Sequence, residues 1–419
     1  MSNHKNQHNL WDFPWGYVES FLIYIGLLIT GFLMEIFFPL KTNTGIVFPY
    51  NLFILAGLFS LIIILQLFVK KQLFVKWLGS IHAAIISIVF ITFMVMIMGI
   101  IPQIKTDSEF IQLLGLNSIT SHWAFLLILF VFLISLGLIT FKRILNFKLN
   151  NIGFIFNHLG LFIALSAGIL GAGDTQRLNL ELEEGSPNWK AYNNKTKEYV
   201  ELDFAIYLKD FIVEEFHPKL AFVENSTGEI IHNDGKNLYL INQDEKYIFN
   251  QFEIDITKYL ASSGRIGDGY HFVNDIGAPP SAQLSIKNVK SNKTISGWIS
   301  SGSFIYQYEA LKIDENLSVV MTIPEVKKFT SEVSILQKNG ERIETTIEVN
   351  KPFDFDGWKI YQLSYNEKMG KWSNTSVLEL VKDPWLPYVY IGIFMMIAGA
   401  IYMFWIGNKF KKENNHDVD

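Results

Sequence analysis

Four ionisable side chains lie inside or at the rim of long apolar runs: Glu35, His82, His122 and His158. An ionisable group in hydrocarbon costs free energy, so each is a candidate for function. Imidazole is the most useful of them, because its lone pair ligates haem iron and other metals. His158 lies about six residues into the run Ile152–Gly171, roughly 9 Å along a helix axis. Small residues recur on that run at Gly160, Ala164, Gly168 and Ala172, a stripe that lets a second helix approach closely. His158 is displaced from the start of the stripe by about 200° around the helix. Its imidazole therefore points away from the seam, with Leu161, Phe162, Leu165 and Ile169 above it. An apolar wall suits a porphyrin; a hydrogen bond to a neighbouring helix is the other use of such a ring. His82 lies about five residues into the run Trp77–Ile101, at a similar depth. The two imidazoles either ligate one iron from both sides or are unrelated boundary residues. Glu35, near the end of the first run, is expected to snorkel to the interface. His122, beside Trp123, suits an interfacial aromatic belt as well as it suits a site.

Elsewhere the chain offers little chemistry. His217, His232 and His271 are scattered, with no carboxylate at a recurring spacing. Gly264 to Gly269 (GRIGDG) lacks the following Lys-Ser/Thr and the preceding apolar strand of a phosphate loop, and reads as a flexible loop. Cysteine is absent, which excludes disulfides, thiolate metal sites and thioredoxin-type exchange on this chain. The net charge of −5 leaves no nucleic-acid footprint.

The elements that must position these residues follow from hydropathy. Half of the 419 residues are hydrophobic and 18% are charged, and the apolar excess is concentrated in the first part of the chain and one late block. Runs of spanning length occur at Tyr17–Leu40, Asn51–Phe68, Trp77–Ile101, Trp123–Thr140, Ile152–Gly171 and Leu386–Ile406, each close to the ~20 residues that cross a bilayer. The polar start, Met1 to Asn9, followed by a run too long for a signal sequence reads as an anchor that is retained. Lys70, Lys71 and Lys76, then Lys142, Arg143 and Lys148, then Lys409, Lys411 and Lys412 all fall on one side if both termini are cytoplasmic. Single lysines, Lys41 and Lys105, occupy the opposite loops. The middle of the chain, 173–383, then lies outside the membrane. Internal repeats or broken helices of a transporter are not visible.

That middle region alternates with a period of two. Phe204, Ile206 and Leu208 alternate with Ala205, Tyr207 and Lys209. Val333 and Ile335 lead to Asn339-Gly340, a hairpin signal, and Ile343, Ile347 and Val349 return. Gly235, Gly264, Gly267, Gly269 and Pro279-Pro280 punctuate the rest. The expected fold is an α-helical polytopic membrane protein of about six transmembrane helices with an inserted, antiparallel, sandwich-like β-rich domain. One helix is predicted in that domain, near Asp255–Ala261.

The order of several motifs resembles the ResB (CcsB) component of system II cytochrome c maturation. Gly99-Ile100-Ile101-Pro102-Gln103 is similar to the family's Gly-Thr-x-x-Pro-Gln, and Ser121-His122-Trp123-Ala124-Phe125 to its Ser-Trp-Trp-Phe. Asn157-His158-Leu159-Gly160-Leu161, followed by Gly168 to Gly171, looks like its His-Leu-Ser/Gly helix. Leu208-Lys209-Asp210-Phe211, Phe355-Asp356-Gly357-Trp358-Lys359-Ile360-Tyr361-Gln362 and Asp383-Pro384 complete the likeness, which runs from about Lys76 to Gly407. Two departures stand out: the first two spans are additional to the usual four, and His122 stands where the family usually has Trp.

The resemblance divides the chain into two additional helices (1–75), a three-helix ResB-like core (76–172), an extracytoplasmic β-rich domain (173–383), a last helix (384–407) and a cytoplasmic tail (408–419). It implies a multi-pass subunit of the bacterial cytoplasmic membrane with its large domain in the periplasm. The implied role is to carry haem across the membrane and present it to apocytochrome c, together with a CcsA/ResC-type partner. The partner's tryptophan-rich motif is missing here, so this chain is not expected to hold the outer haem alone. The implied cofactor is haem b, transient and shared with the partner, with His158 as an axial ligand of its iron and His82 as a second candidate. Further implied partners are thiol-reducing proteins of the pathway and membrane lipid, with no nucleic acid. A chain without cysteine contributes binding and orientation rather than covalent catalysis, as a non-catalytic subunit of a synthetase complex. The alternative is a scaffold that binds no haem and recruits apocytochrome or partner through its outer domain.

Overall fold

In the computed structural model, residues 10–40, 45–232 and 237–416 are described, with side chains through 405. Met1–Asn9, Lys41 and Gly235 fall outside the described residues, as do the side chains of Lys409, Lys411 and Lys412. The chain divides into a helical unit, 1–176 with 383–419, and a β-rich unit, Arg177–Lys382.

Six helices of the helical unit are long and apolar enough to cross a membrane. They are α1 (Tyr17–Phe37), α2 (Tyr50–Phe68), α3 (Ile81–Ile100), α4 (Trp123–Leu145), α5 (Ile152–Gly171) and α6 (Leu386–His416). Their bounds follow the hydropathy runs closely, with one difference of consequence. The third run was expected to begin at Trp77, but Leu73–Leu78 forms a separate short helix and Ser80 caps α3, accepting from the Ala83 N–H at 3.3 Å. Trp77 instead turns inward, 1% exposed, and its indole donates to Ser20 Oγ at 2.9 Å. Burying so large a ring with its polar tip satisfied holds the short helix against α1. Helix α4 extends to Leu145, so Lys142 and Arg143 lie in its last turn, where cations oppose the helix dipole favourably.

Helix α4 is the centre of the unit. Ile128, Leu129, Phe132, Leu133, Leu136 and Leu138 are all buried. Gly31 of α1 lies directly against the Ala124 backbone, and Gly137 of α4 admits Ile62 of α2 beside Phe162 of α5. The two N-terminal helices therefore share one core with α4 and α5.

The β-rich unit contains two cores. An eight-stranded sheet runs, in spatial order, Arg342–Glu348, Val326–Gln337, Glu198–Glu215, Pro187–Asn193, Gln176–Glu183, Thr375–Lys382, Trp358–Tyr365 and Phe353–Phe355. The expected alternation holds: Phe204, Ile206 and Leu208 are buried, with Val333 and Ile335 beside them in the same cluster. The Asn339-Gly340 hairpin also forms, with Gly340 at φ +88° and Leu336 opposite Arg342. Two four-stranded sheets enclose the second core, built on Phe222, Phe249, Ile254, Ile256, Leu284 and Val319.

Two expectations for this unit are corrected. The segment Asp255–Ala261 is no helix; it belongs to the strand Phe252–Leu260, which pairs with Lys246–Phe249 and Ser281–Asn288. Phe252, Ile254 and Ile256 point inward at a period of two, and the two flanking strands satisfy its backbone. Gly264 to Gly269 is not a loose loop either. It is a two-stranded hairpin, Ser263–Ile266 with Gly269–Phe272, turning at Gly267 with φ +62°.

Candidate functional site

Helix α5 carries a tight seam and a separate imidazole. On the seam, Gly153 faces Gly399 and Met403, Gly160 faces Gly392 and Met395, and Gly171 faces Trp385, all of α6 or the residue that opens it. A Cβ at Gly160 would come within 2.5 Å of the Gly392 carbonyl oxygen. Asn157 adds a hydrogen bond from Nδ2 to the Met396 carbonyl at 3.4 Å. The stripe expected from Gly160, Ala164, Gly168 and Ala172 is only partly this seam. Gly160 and Ala164 belong to it, whereas Gly168 has nothing within 4 Å of a Cβ position.

His158 points away from the seam, about 140° around the helix from its centre line. The ring is half-buried. Its Nδ1 lies 3.0 Å from the Phe154 carbonyl oxygen. A carbonyl only accepts, so Nδ1 carries the proton and the neutral ring keeps its lone pair on Nε2. Nε2 has no hydrogen-bond partner among the described residues. The ring also stacks on Phe154, with centroids 3.6 Å apart and planes 19° apart. On α4, Arg143 sets its guanidinium 4.6 Å from the same Phe154 ring and donates to Asn151 Oδ1 at 2.7 Å. Leu161, Leu165 and Ile169 are partly buried and pack against the helical core. A histidine whose Nδ1–H is held by a backbone carbonyl is the usual second-shell arrangement of a metal-ligating imidazole. The chemistry of this donor atom would suit haem iron, which imidazole commonly ligates.

His82 is less deep than its place in the apolar run suggested. It is in the first turn of α3, half-buried, with its ring edge-to-face on Tyr17 at 4.5 Å. No ring contact or hydrogen bond joins it to His158 among the described residues.

The other two membrane candidates are structural. His122 is 0% exposed, not interfacial. Its Nδ1 accepts from the Ala124 N–H at 3.0 Å, and its Nε2 donates to the Leu114 carbonyl at 3.0 Å. Both nitrogens are used, which leaves none for a metal. Glu35 is 4% exposed, so it does not snorkel. Its Oε2 accepts from the Trp123 N–H at 3.1 Å, so an acidic and an imidazole side chain together cap the start of α4.

The remaining motifs are mostly joints. Gln103 Oε1 accepts from Ile119 N–H at 2.9 Å while its Nε2 donates to the Ile101 and Leu116 carbonyls. Asp356 and Gly357, with φ +46° and +77°, form the two-residue turn between Phe353–Phe355 and Trp358–Tyr365. Asp383 Oδ1 accepts from the Trp385 and Leu386 N–H groups and caps α6. His158 differs from all of these in keeping a donor atom without a structural partner.

Sequence reading missed two arrangements. One is the Arg143–Phe154–His158 stack, whose members come from two helices. The other is Asp174, which follows α5. Its Oδ1 accepts from Phe48 N–H at 2.7 Å, and its Oδ2 from Asn51 Nδ2 and Trp385 Nε1, each at 2.7 Å. Among the described residues no cluster of three His, Asp or Glu side chains could hold a metal ion.

The ResB-like family matches residues 302–375 of the chain. This segment of the β-rich unit includes the Asp356-Gly357 turn, and the match points to a role in cytochrome c biogenesis. No curated protein matches the chain.

Proposed function

We propose that the chain is a membrane subunit of a haem-export and cytochrome c maturation complex, working with a CcsA/ResC-type partner to present haem to apocytochrome c. The ResB-like match over residues 302–375 carries the reading. The free Nε2 of His158 supports the haem-handling part of it. The lysine asymmetry supports a cytoplasmic-membrane placement with the β-rich unit outside and both termini inside.

When bound, haem supplies the iron and the vinyl groups that receive the cytochrome's thiols. This chain's residues bind and orient. His158 Nε2 would hold the iron, with the Phe154 carbonyl fixing the tautomer of the ring. His82 remains the second candidate on this chain, one helical turn from the same end of the helical unit.

Deletion of the gene in its own host tests the reading. Haem-stained c-type cytochromes should disappear while b-type cytochromes persist, and the plasmid-borne chain should restore them. Undiminished c-type cytochromes in the deletion strain would remove the proposal.

A further inference from the structure

The exposed guanidinium of Arg143 has no carboxylate partner among the described residues, but it has two other contacts. Asn151 Oδ1 accepts from its Nη1 at 2.7 Å, and the Phe154 ring lies 4.6 Å from its Cζ. The His158 imidazole stacks on the same Phe154 ring, so both groups share one aromatic neighbour. The neighbouring cations, Lys142 and Lys148, are exposed like Arg143, but neither makes an ion pair or ring contact among the described residues.

We propose that Arg143 recognises a carboxylate of the ligand that His158 binds, so that the stack is a two-point site: a nitrogen for the metal and a planar cation for an oxyanion at the ligand's rim. This rests on the haem reading of His158. Porphyrin chemistry suits it, because the iron is at the centre of an apolar disc whose two carboxylates lie on one edge. The depths agree. His158 is about 9 Å along α5 from Ile152, and Arg143 is in the last turn of α4, which the chain joins to the start of α5. Iron held at the imidazole thus leaves the carboxylate edge facing the polar end of the helices. Arginine offers a planar fork of donors that fits a carboxylate, and its stacking on Phe154 restrains that fork. A lipid phosphate has the same oxyanion chemistry, and the experiment must separate the two sources.

The full chain, co-purified with its tryptophan-rich partner in lipid nanodiscs and stripped of haem, would be titrated with haem and with haem dimethyl ester, which lacks both charges. Absorption spectra report binding and ligation. Arg143→Gln should weaken haem binding roughly ten- to a hundredfold and leave the ester's affinity unchanged. Arg143→Lys should recover part of the loss, and Lys142→Gln should bind both compounds like wild type. Equal loss of both compounds in Arg143→Gln would mean that the residue only positions His158, and would overturn the carboxylate assignment. No loss of either would show that Arg143 does not read the haem carboxylate, leaving lipid phosphate as the other source of that chemistry, and would overturn the assignment too. His158→Ala separates the premise: if it keeps the wild-type spectrum and affinity, the haem reading of His158 has failed, whatever Arg143 does.

Discussion

The indole of Trp385 donates a 2.7 Å hydrogen bond to the carboxylate of Asp174 across 211 positions of sequence. The pair closes the chain where it leaves the helical unit after α5 and where it returns at α6. Phe48 and Asn51, at the start of α2, donate to the same carboxylate, and Asn51 also donates to the Leu170 carbonyl at 3.2 Å. One acidic group therefore ties three helices at one end.

Asp174→Asn should lower the stability of the helical unit by about 1–3 kcal/mol, since hydrogen bonds to a charged acceptor are the stronger kind. Burial pushes the Asp174 carboxyl up, but the Phe48, Trp385 and Asn51 hydrogen bonds outweigh it and hold it below its ordinary value of 3.8. A depressed carboxyl stabilises the fold fully above that ordinary value and loses the contribution as pH falls through the lower folded one. Thermal unfolding of both proteins in nanodiscs should show a constant difference from neutral pH to about pH 5, shrinking only in stronger acid. A difference that vanished already near pH 6 would contradict the assignment.

The two glycines Gly160 and Gly168 should respond oppositely to alanine. At Gly160 a Cβ meets the Gly392 carbonyl oxygen at 2.5 Å and the Met396 nitrogen at 2.9 Å, so α5 and α6 must separate. The expected loss is about 1–3 kcal/mol. At Gly168 a Cβ meets nothing, and alanine should gain about 0.5–1 kcal/mol from helix propensity. Equal effects at the two positions, measured by thermal unfolding, would reject the seam.

These glycines also show what the sequence could reveal. The 3.6-residue period placed His158 away from a close-packed face, and that direction holds. It could not say which small residues meet α6, because the partner glycines Gly392 and Gly399 lie beyond the β-rich unit. Hydropathy found the six spans, since each is by itself close to the ~20 residues that cross a bilayer. It misjudged Glu35 and His122, because what buries them is the loop around Leu114 and Gly115 folding back on α1 and α4. The strand Phe252–Leu260 was obscured because its outward positions carry Glu253, Asp255 and Lys258, a mixture equally at home on a helix. Arg143 was read only as an inside charge; its stack depends on the angle between α4 and α5.

His122 should behave as a structural cap with no part in haem binding. Its Nδ1 must accept and its Nε2 must donate, so the neutral ring is required. His122→Ala leaves the Ala124 N–H and the Leu114 carbonyl without partners in a buried place and should cost about 2–4 kcal/mol. Where the variant still assembles, its haem content per protein should match wild type. Selective loss of haem with unchanged thermal stability would reassign this residue to the site.

Orientation is testable with reporters. The proposal that the β-rich unit is outside and the termini inside rests on Lys70, Lys71 and Lys76 between α2 and α3, and on Lys142, Arg143 and Lys148 around the α4–α5 turn. Alkaline phosphatase fused after residue 300 should be active, and the same enzyme fused after Lys412 should be silent. The reverse pattern would invert the topology and place Arg143 on the outer face.

The sharpest expectation concerns His158 itself. Its Nδ1–H is committed to the Phe154 carbonyl and its Nε2 has no partner among the described residues, so on the proposed reading removing the ring removes a ligand. The packing seam of Gly153, Gly160 and Gly171 lies on another face of α5, so His158→Ala should disturb assembly little. The complex should therefore be recovered in normal yield with less haem and without the low-spin spectrum of two nitrogen ligands. Imidazole in the medium should restore part of that spectrum by occupying the vacated position. His82→Ala, in the first turn of α3 and against Tyr17, should reduce haem less. Full haem with an unchanged spectrum in His158→Ala would refute the ligand assignment, and loss confined to His82→Ala would move the site to α3.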